Sequence, residues 1–185
     1  MNFDLVIRRV VGALEAADIH YALIGGFAMA LRGVQRATMD LDFILMLEDM
    51  AKADEILRTA GYERIFHSSN VSQYQSPDRD WGRIDILHAF RGPTLGMLKR
   101  AEALTVLDDL TIRVVQLEDI IGLKVQAVVN NPARETRDWV DIRMILEAAK
   151  EQGTAIDWTL VTDYLKIFGL EARLAELKGY HGHVD

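Results

Sequence analysis

The fold turns on one stretch of sequence, Ile24-Gly25-Gly26-Phe27-Ala28-Met29-Ala30-Leu31, followed after Arg32 to Met39 by Asp40-Leu41-Asp42-Phe43. His20 to Ile24 is a short apolar run that stops at two glycines, the pattern of a buried strand entering a tight turn. Phe27 to Leu31 is rich in helix formers, and Gly33 stops it. Asp40 to Leu47 reads as a second strand, with Leu41, Phe43 and Leu45 alternating against Asp40, Asp42 and Ile44. Residues two apart on a strand share a face, so both aspartates point one way with Cα atoms about 6.6 Å apart. Carboxylates so placed can pinch a hard cation, Mg²⁺ or Mn²⁺, which takes the rest of its shell from water and substrate phosphates.

Working outward, Asp85 stands between Ile84 and Ile86 on a predicted strand, Arg83 to Leu87, and would add a third acid to the pocket. The similar triplet Asp78-Arg79-Asp80 lies between Pro77 and Trp81-Gly82 without apolar alternation, and reads as a solvated loop. Two glycines between a strand and a helix let backbone N–H groups approach an anion, although a simple tight turn uses the same residues. Neither a Gly-Lys-Ser/Thr loop nor a Gly-x-Gly-x-x-Gly fingerprint is present. The polar residues Arg32, Gln35, Arg36 and Thr38 lead from this turn into Asp40. A phosphate cradle followed by paired metal carboxylates is what transfer to or from a nucleoside triphosphate requires.

Gly25-Gly26, thirteen intervening residues, Asp40-Leu41-Asp42 and the distal Asp85 resemble the signature of the polymerase-beta-like nucleotidyltransferase superfamily. Within it the chain is most similar to the minimal bacterial nucleotidyltransferases grouped with AbiEii-type toxins. Arg36-Ala37-Thr38-Met39-Asp40-Leu41-Asp42 matches that group's Arg-x-Ser/Thr-x-Asp-hydrophobic-Asp segment. Leu117 to Lys124 resembles its lysine-bearing helix, and Arg137-Asp138-Trp139-Val140-Asp141 its Arg-Asp-x-x-Asp. The resemblance implies an α/β nucleotidyltransferase fold, a mixed central sheet flanked by helices, followed by a small C-terminal helical bundle. It also implies transfer of a nucleoside monophosphate from an NTP to an acceptor hydroxyl or phosphate, with Mg²⁺ or Mn²⁺ as cofactor. Asp40, Asp42 and Asp85 would be the catalytic and metal-binding acids. Gly25, Gly26, Arg36, Thr38 and Lys124 would bind the nucleotide, with Asp138 and Asp141 holding Lys124 or positioning substrate. An ion pair of Asp138 or Asp141 with Arg134 or Arg137 is the plainer alternative. Lys124 lies among Ile120, Ile121, Leu123 and Val125, where a lysine commonly keeps its ammonium partly exposed.

The remaining sequence agrees with a soluble enzyme domain. The 185 residues include 50% hydrophobic and 26% charged residues, enough to bury a core and too few charges for disorder. With no Cys, disulfides, thiolate metal sites and a thiol nucleophile are excluded. A net charge of −7 disfavours strong non-specific binding to duplex nucleic acid, and bears only weakly on tRNA as acceptor. The start, MNFDLVIRR, carries an early acid and no cleavable apolar core, and the uncharged stretch Ile19 to Leu31 is too short to span a bilayer. These features predict a cytoplasmic protein with no membrane partner.

Helices are predicted over 3–16, 48–60, 117–130, 134–151, 157–167 and 169–178. Further strands are predicted near 62–66, 71–75, 104–107 and 111–115. Strand signals cease near Gln116, so residues 1–116 read as the nucleotidyltransferase domain and 117–185 as a helical subdomain. His67, His88, His181 and His183 form no metal-spaced set, and the last two lie in an expected mobile tail. A toxin role with a cognate antitoxin follows from the resemblance alone; the acceptor could be tRNA, a protein or a small molecule. A non-catalytic nucleotide- or partner-binding module of antitoxin type, and a dimerisation domain built on the C-terminal helices, are the rival readings.

Overall fold

Asn2 begins the first helix by accepting the Leu5 N–H on its side chain, and Asp4 adds negative charge to the first turn. In the computed structural model, which describes residues 2–78, 80–107 and 110–182, this helix is α1 (Phe3–Ala16). Val6, Ile7, Val10, Val11 and Leu14 are all buried along one face. Full burial contributes about 1.5–3 kcal/mol per such side chain, which outweighs the few tenths by which valine disfavours a helix.

The chain divides into two compact units, Met1–Leu31 with Arg36–Gln116, and Arg32–Gln35 with Leu117–Asp185. The first unit is built on β1 (Tyr21–Ile24), β2 (Asp40–Met46), β3 (Glu63–His67), β4 (Val71–Gln75), β5 (Arg83–Ala89), β6 (Glu102–Leu107) and β7 (Leu110–Val114). These form one sheet in the order β3-β4-β5-β2-β1-β7-β6. It is mixed: β2 pairs parallel with β5 and β1 with β7, and the other neighbours are antiparallel. All four residues of β1 are buried, as expected of a central strand covered on both faces. By contrast β2 opens with an exposed Asp40 and a half-buried Asp42, then becomes buried from Phe43 to Leu45. Both acids therefore stand where the strand emerges from the core.

The helices of this unit are α1, α2 (Gly25–Leu31), α3 (Met50–Thr59) and α4 (Gly92–Arg100). Gly25, with a left-handed backbone at φ +69°, turns the chain from β1 into α2, and Gly26 follows in the first turn of the helix. Sequence patterning passed over α4, because Gly92, Pro93 and Gly96 read as breakers. Pro93 sits in its first turn, where no N–H is needed; Thr94 Oγ1 accepts the Arg91 N–H at 3.3 Å, and Met97 and Leu98 are buried. The predicted turn at Asp108-Asp109 lies outside the described residues.

The second unit holds α5 (Leu117–Asn130), α6 (Glu135–Glu151), α7 (Trp158–Ile167) and α8 (Leu174–His181). Glu118 Oε1 accepts the Asp157 N–H at 2.7 Å, and Asp157 in turn caps α7. Tyr164 donates to the fully buried Asp119 at 2.7 Å while its ring packs on Gly122. The mobile tail expected at His181 is corrected: α8 extends through it, its Nε2 donates to the Thr154 carbonyl at 3.0 Å, and its ring meets Trp158 edge-on. His183 lies outside the described residues. Among the described residues no helix is long and apolar enough to cross a membrane.

Candidate active site

Asp40 and Asp42 share the outward face at the start of β2, and the parallel register sets Arg83 opposite Asp40 and Asp85 opposite Asp42. Neighbouring strands lie about 4.8 Å apart, so these four side chains form a small array on one sheet face. On the far side of β5, Gln73 of β4 is paired with Asp85. The three acids expected to act together thus come from adjacent strands.

The glycines shape the same corner. Gly25 has φ +69°, and a Cβ there would lie 2.0 Å from Asp42 Oδ2 and 2.6 Å from its Cγ. Only glycine tolerates both the left-handed backbone and that approach, so the end of β1 forms a cradle for the Asp42 carboxylate. A Cβ on Gly26 would stand 3.0 Å from the Cβ and Oγ1 of Thr38. Thr38 Oγ1 itself donates to the Asp40 carbonyl at 3.2 Å. Arg36 is half-buried, with Nη1 4.0 Å from Met29 Sδ.

Sequence reasoning missed Arg83. Its guanidinium forks onto Asp85, Nε donating to Oδ1 at 2.7 Å and Nη2 to Oδ2 at 2.9 Å. Gln73 Nε2 donates to Asp85 Oδ2 at 3.3 Å. The hydrogen bond to Asp85 raises the Arg83 pKa against the opposing effect of burial, and the charges of Asp85, Asp40 and Asp42 add to the rise. One cation therefore feels all three acids. The signal was available: Arg83 and Asp85 are two apart on a strand and must share a face. Among the described residues, no group of three or more His, Asp or Glu side chains is gathered so as to hold a metal ion.

Lys124 of α5 belongs to the helical unit, where its Nζ donates to Asp138 Oδ1 at 2.9 Å and Asp141 Oδ2 at 2.5 Å. Arg134 Nε lies 3.0 Å from Asp138 Oδ2. The expectation of a partly exposed ammonium is corrected, since Lys124, Asp138 and Asp141 are all buried. A lysine can be enclosed in an apolar helix face when two carboxylates meet it there.

Two of the histidines, His67 and His88, bracket one serine. His88 Nδ1 donates to the Ser69 carbonyl at 3.1 Å, which leaves Nε2 to accept from Ser72 Oγ at 2.9 Å. His67 Nδ1 then donates to Ser72 Oγ at 2.8 Å. Burial lowers the His88 pKa, the Ser69 carbonyl opposes this, and His67 lowers it further. Ser72 is 0% exposed, so this chain of hydrogen bonds ties β3, β4 and β5 together and offers no nucleophile to solution.

A mixed sheet with an acid pair on a central strand, beside a glycine pair that opens a short helix, defines the nucleotidyltransferase fold. The model of the nucleotidyl transferase AbiEii toxin family, type IV toxin–antitoxin system, matches residues 9–179, and the chain belongs to that family of nucleotidyltransferases. No curated protein matches the chain. Among solved structures it is similar to the antibiotic-resistance factor ANT(2'')-Ia in solution, at 18% identity over 100% of both chains with a TM-score of 0.65. It is also similar to the lincosamide antibiotic adenylyltransferase LnuA with lincomycin bound, at 16% identity over 64% of this chain and 83% of that one, TM-score 0.51. A nucleotidyltransferase-fold protein from Thermotoga maritima aligns at 14% identity over 75% of this chain and 92% of that one, TM-score 0.57. At such identities these likenesses speak for the fold.

Proposed function

We propose that the protein transfers a nucleoside monophosphate from an NTP to an acceptor hydroxyl or phosphate by in-line attack on the α-phosphate, which breaks the α–β bond and releases pyrophosphate, with a divalent cation held by Asp40 and Asp42. The observation that carries this reading is the placement of Asp40, Asp42 and Asp85 on one sheet face beside the Gly25 cradle. The donor chemistry fits one hard cation at Asp40 and Asp42, because carboxylate oxygens are what Mg²⁺ or Mn²⁺ prefers. Bound there, the cation would offset triphosphate charge and polarise the phosphate under attack. The missing Cβ at Gly25 leaves room for the Asp42 carboxylate and the one at Gly26 leaves room for Thr38, so the acid-bearing segment closes on the glycine pair whose backbone N–H groups would meet the phosphates. Thr38 fixes the segment that delivers Asp40, and Arg36 supplies charge for the nucleotide. Asp85 accepts the proton from the acceptor hydroxyl as it attacks.

The acceptor class is drawn from tRNA, a protein hydroxyl or a small molecule of the antibiotic kind that LnuA binds. Family membership supports a toxin role countered by a cognate antitoxin. The test is incubation with each α-labelled NTP, Mg²⁺ and cell extract, comparing the natural chain with Asp40→Asn/Asp42→Asn. Label should enter one class of macromolecule or small molecule, and only with the natural chain. Equal labelling by the double variant would overturn the reading.

A further inference from the structure

We propose that Arg83 is a positioning residue of the acid site: it holds Asp85 through both oxygens and keeps a second divalent cation out. The resting chain then takes one cation, at Asp40 and Asp42. This rests on the reading of those two acids as cation ligands. Nucleotidyl transfer that uses paired metals needs them about 3.5–4 Å apart, with carboxylates bridging or flanking both. Asp85 is the acid placed to serve the second position, directly across from Asp42.

Its oxygens are already engaged. Arg83 reaches Oδ1 at 2.7 Å and Oδ2 at 2.9 Å, and Gln73 adds a third donor to Oδ2 at 3.3 Å. Together these donors take three of the carboxylate's roughly four lone-pair sites, too many for it to serve a metal as well, and the fork's planar geometry is one that a lysine does not reproduce. The cation is also planted by the backbone, since Arg83 pairs with Asp40 across the parallel register. A guanidinium one strand spacing from the acid pair repels a second divalent ion while leaving one to be neutralised by Asp40 and Asp42. The Arg83 and Asp85 side chains are 34% and 25% exposed, so the fork is partly shielded from water yet open to ligands from solution. Arg83 thereby holds Asp85 aimed across from Asp42.

The experiment counts Mn²⁺ bound to the full chain without nucleotide, by the loss of free-ion electron paramagnetic resonance signal. The natural chain should bind one Mn²⁺, Arg83→Gln two, and Arg83→Gln/Asp85→Asn one again. An unchanged single Mn²⁺ in Arg83→Gln overturns the proposal, because removing the guanidinium then exposes no further site. Should Arg83→Gln fail to fold, as judged by circular dichroism, the natural chain alone still decides: two bound Mn²⁺ overturn the idea. A natural chain that binds no Mn²⁺, or that keeps its Mn²⁺ in Asp40→Asn/Asp42→Asn, overturns instead the reading of those acids as ligands.

Discussion

Replacing Lys124 with methionine keeps most of the side chain's length and removes its charge. The ammonium donates to Asp138 and Asp141, and the three side chains are 10%, 0% and 5% exposed. Water cannot resolvate carboxylates so enclosed. Removing one partner of a buried ion pair costs about 3–5 kcal/mol, because the charge left behind stays desolvated. Asp138 retains Arg134 at 3.0 Å, which places the expected loss at the lower end, about 3 kcal/mol. At about 2–4 °C per kcal/mol for a chain of this length, the melting temperature should fall by roughly 6–12 °C.

Urea unfolding followed by circular dichroism measures the loss, and a double-mutant cycle assigns its cause. In Lys124→Met/Asp141→Asn the stranded carboxylate is gone, so the double variant should be more stable than the two single losses sum to. The coupling should be about 2 kcal/mol, within the range for residues in direct contact. A coupling under about 0.5 kcal/mol would refute the reasoning, since it would mean that Lys124 and Asp141 do not feel each other's charge.

Gly25→Ala should cost about 1–2 kcal/mol from the left-handed backbone alone, and should abolish Mn²⁺ binding by displacing the Asp42 carboxylate; binding at natural affinity would separate the cradle from the cation site. Gly122→Ala sets a Cβ 2.7 Å from the Tyr164 ring, so it should destabilise by about 1–3 kcal/mol in urea unfolding, and an unchanged midpoint would contradict the close packing of α5 on α7. The His88 pKa is lowered by burial, so below its ordinary value of 6.5 the unfolded chain binds a proton that the folded chain refuses. Stability from this group therefore falls as pH drops from about 6.5 toward the folded value. His88→Gln should show a smaller loss between pH 7.5 and 5.5 than the natural chain, and an equal loss would exclude His88 as its source.

The elements most legible in the sequence are those whose pattern is local. The alternation of Leu41, Phe43 and Leu45 marks β2, and the five buried residues of α1 recur at helical spacing. Helix α4 was opaque because its stability comes from context. Pro93 is harmless in a first turn, Gly96 is tolerated in a short helix, and the burial of Met97 and Leu98 outweighs both. The acids were legible through the Gly-Gly and Asp-x-Asp spacing. What surrounds them depended on pairings 43 residues apart, such as Asp40 with Arg83, that no local pattern encodes.

Arg83 and Lys124 show why charge is harder to read than apolarity. An apolar residue carries its preference for burial with it, whereas a cation takes its environment from the partners that the fold delivers. Lys124 amid isoleucines reads as a surface group until α6 brings Asp138 and Asp141 to it, 14 and 17 residues on. Burial then follows from the pairing, because an enclosed ammonium with two carboxylates costs far less than an enclosed ammonium alone. Arg83 is the same case with the sign of the consequence reversed. Its apolar neighbours Ile84 and Ile86 face the core, so alternation sends the guanidinium to the acid face, where it forks onto both oxygens of Asp85. A carboxylate read from sequence as a metal ligand therefore competes with any cation the fold brings nearer, and the register of β5 on β2 sets Arg83 and Asp85 side by side with Asp40 and Asp42 for that contest.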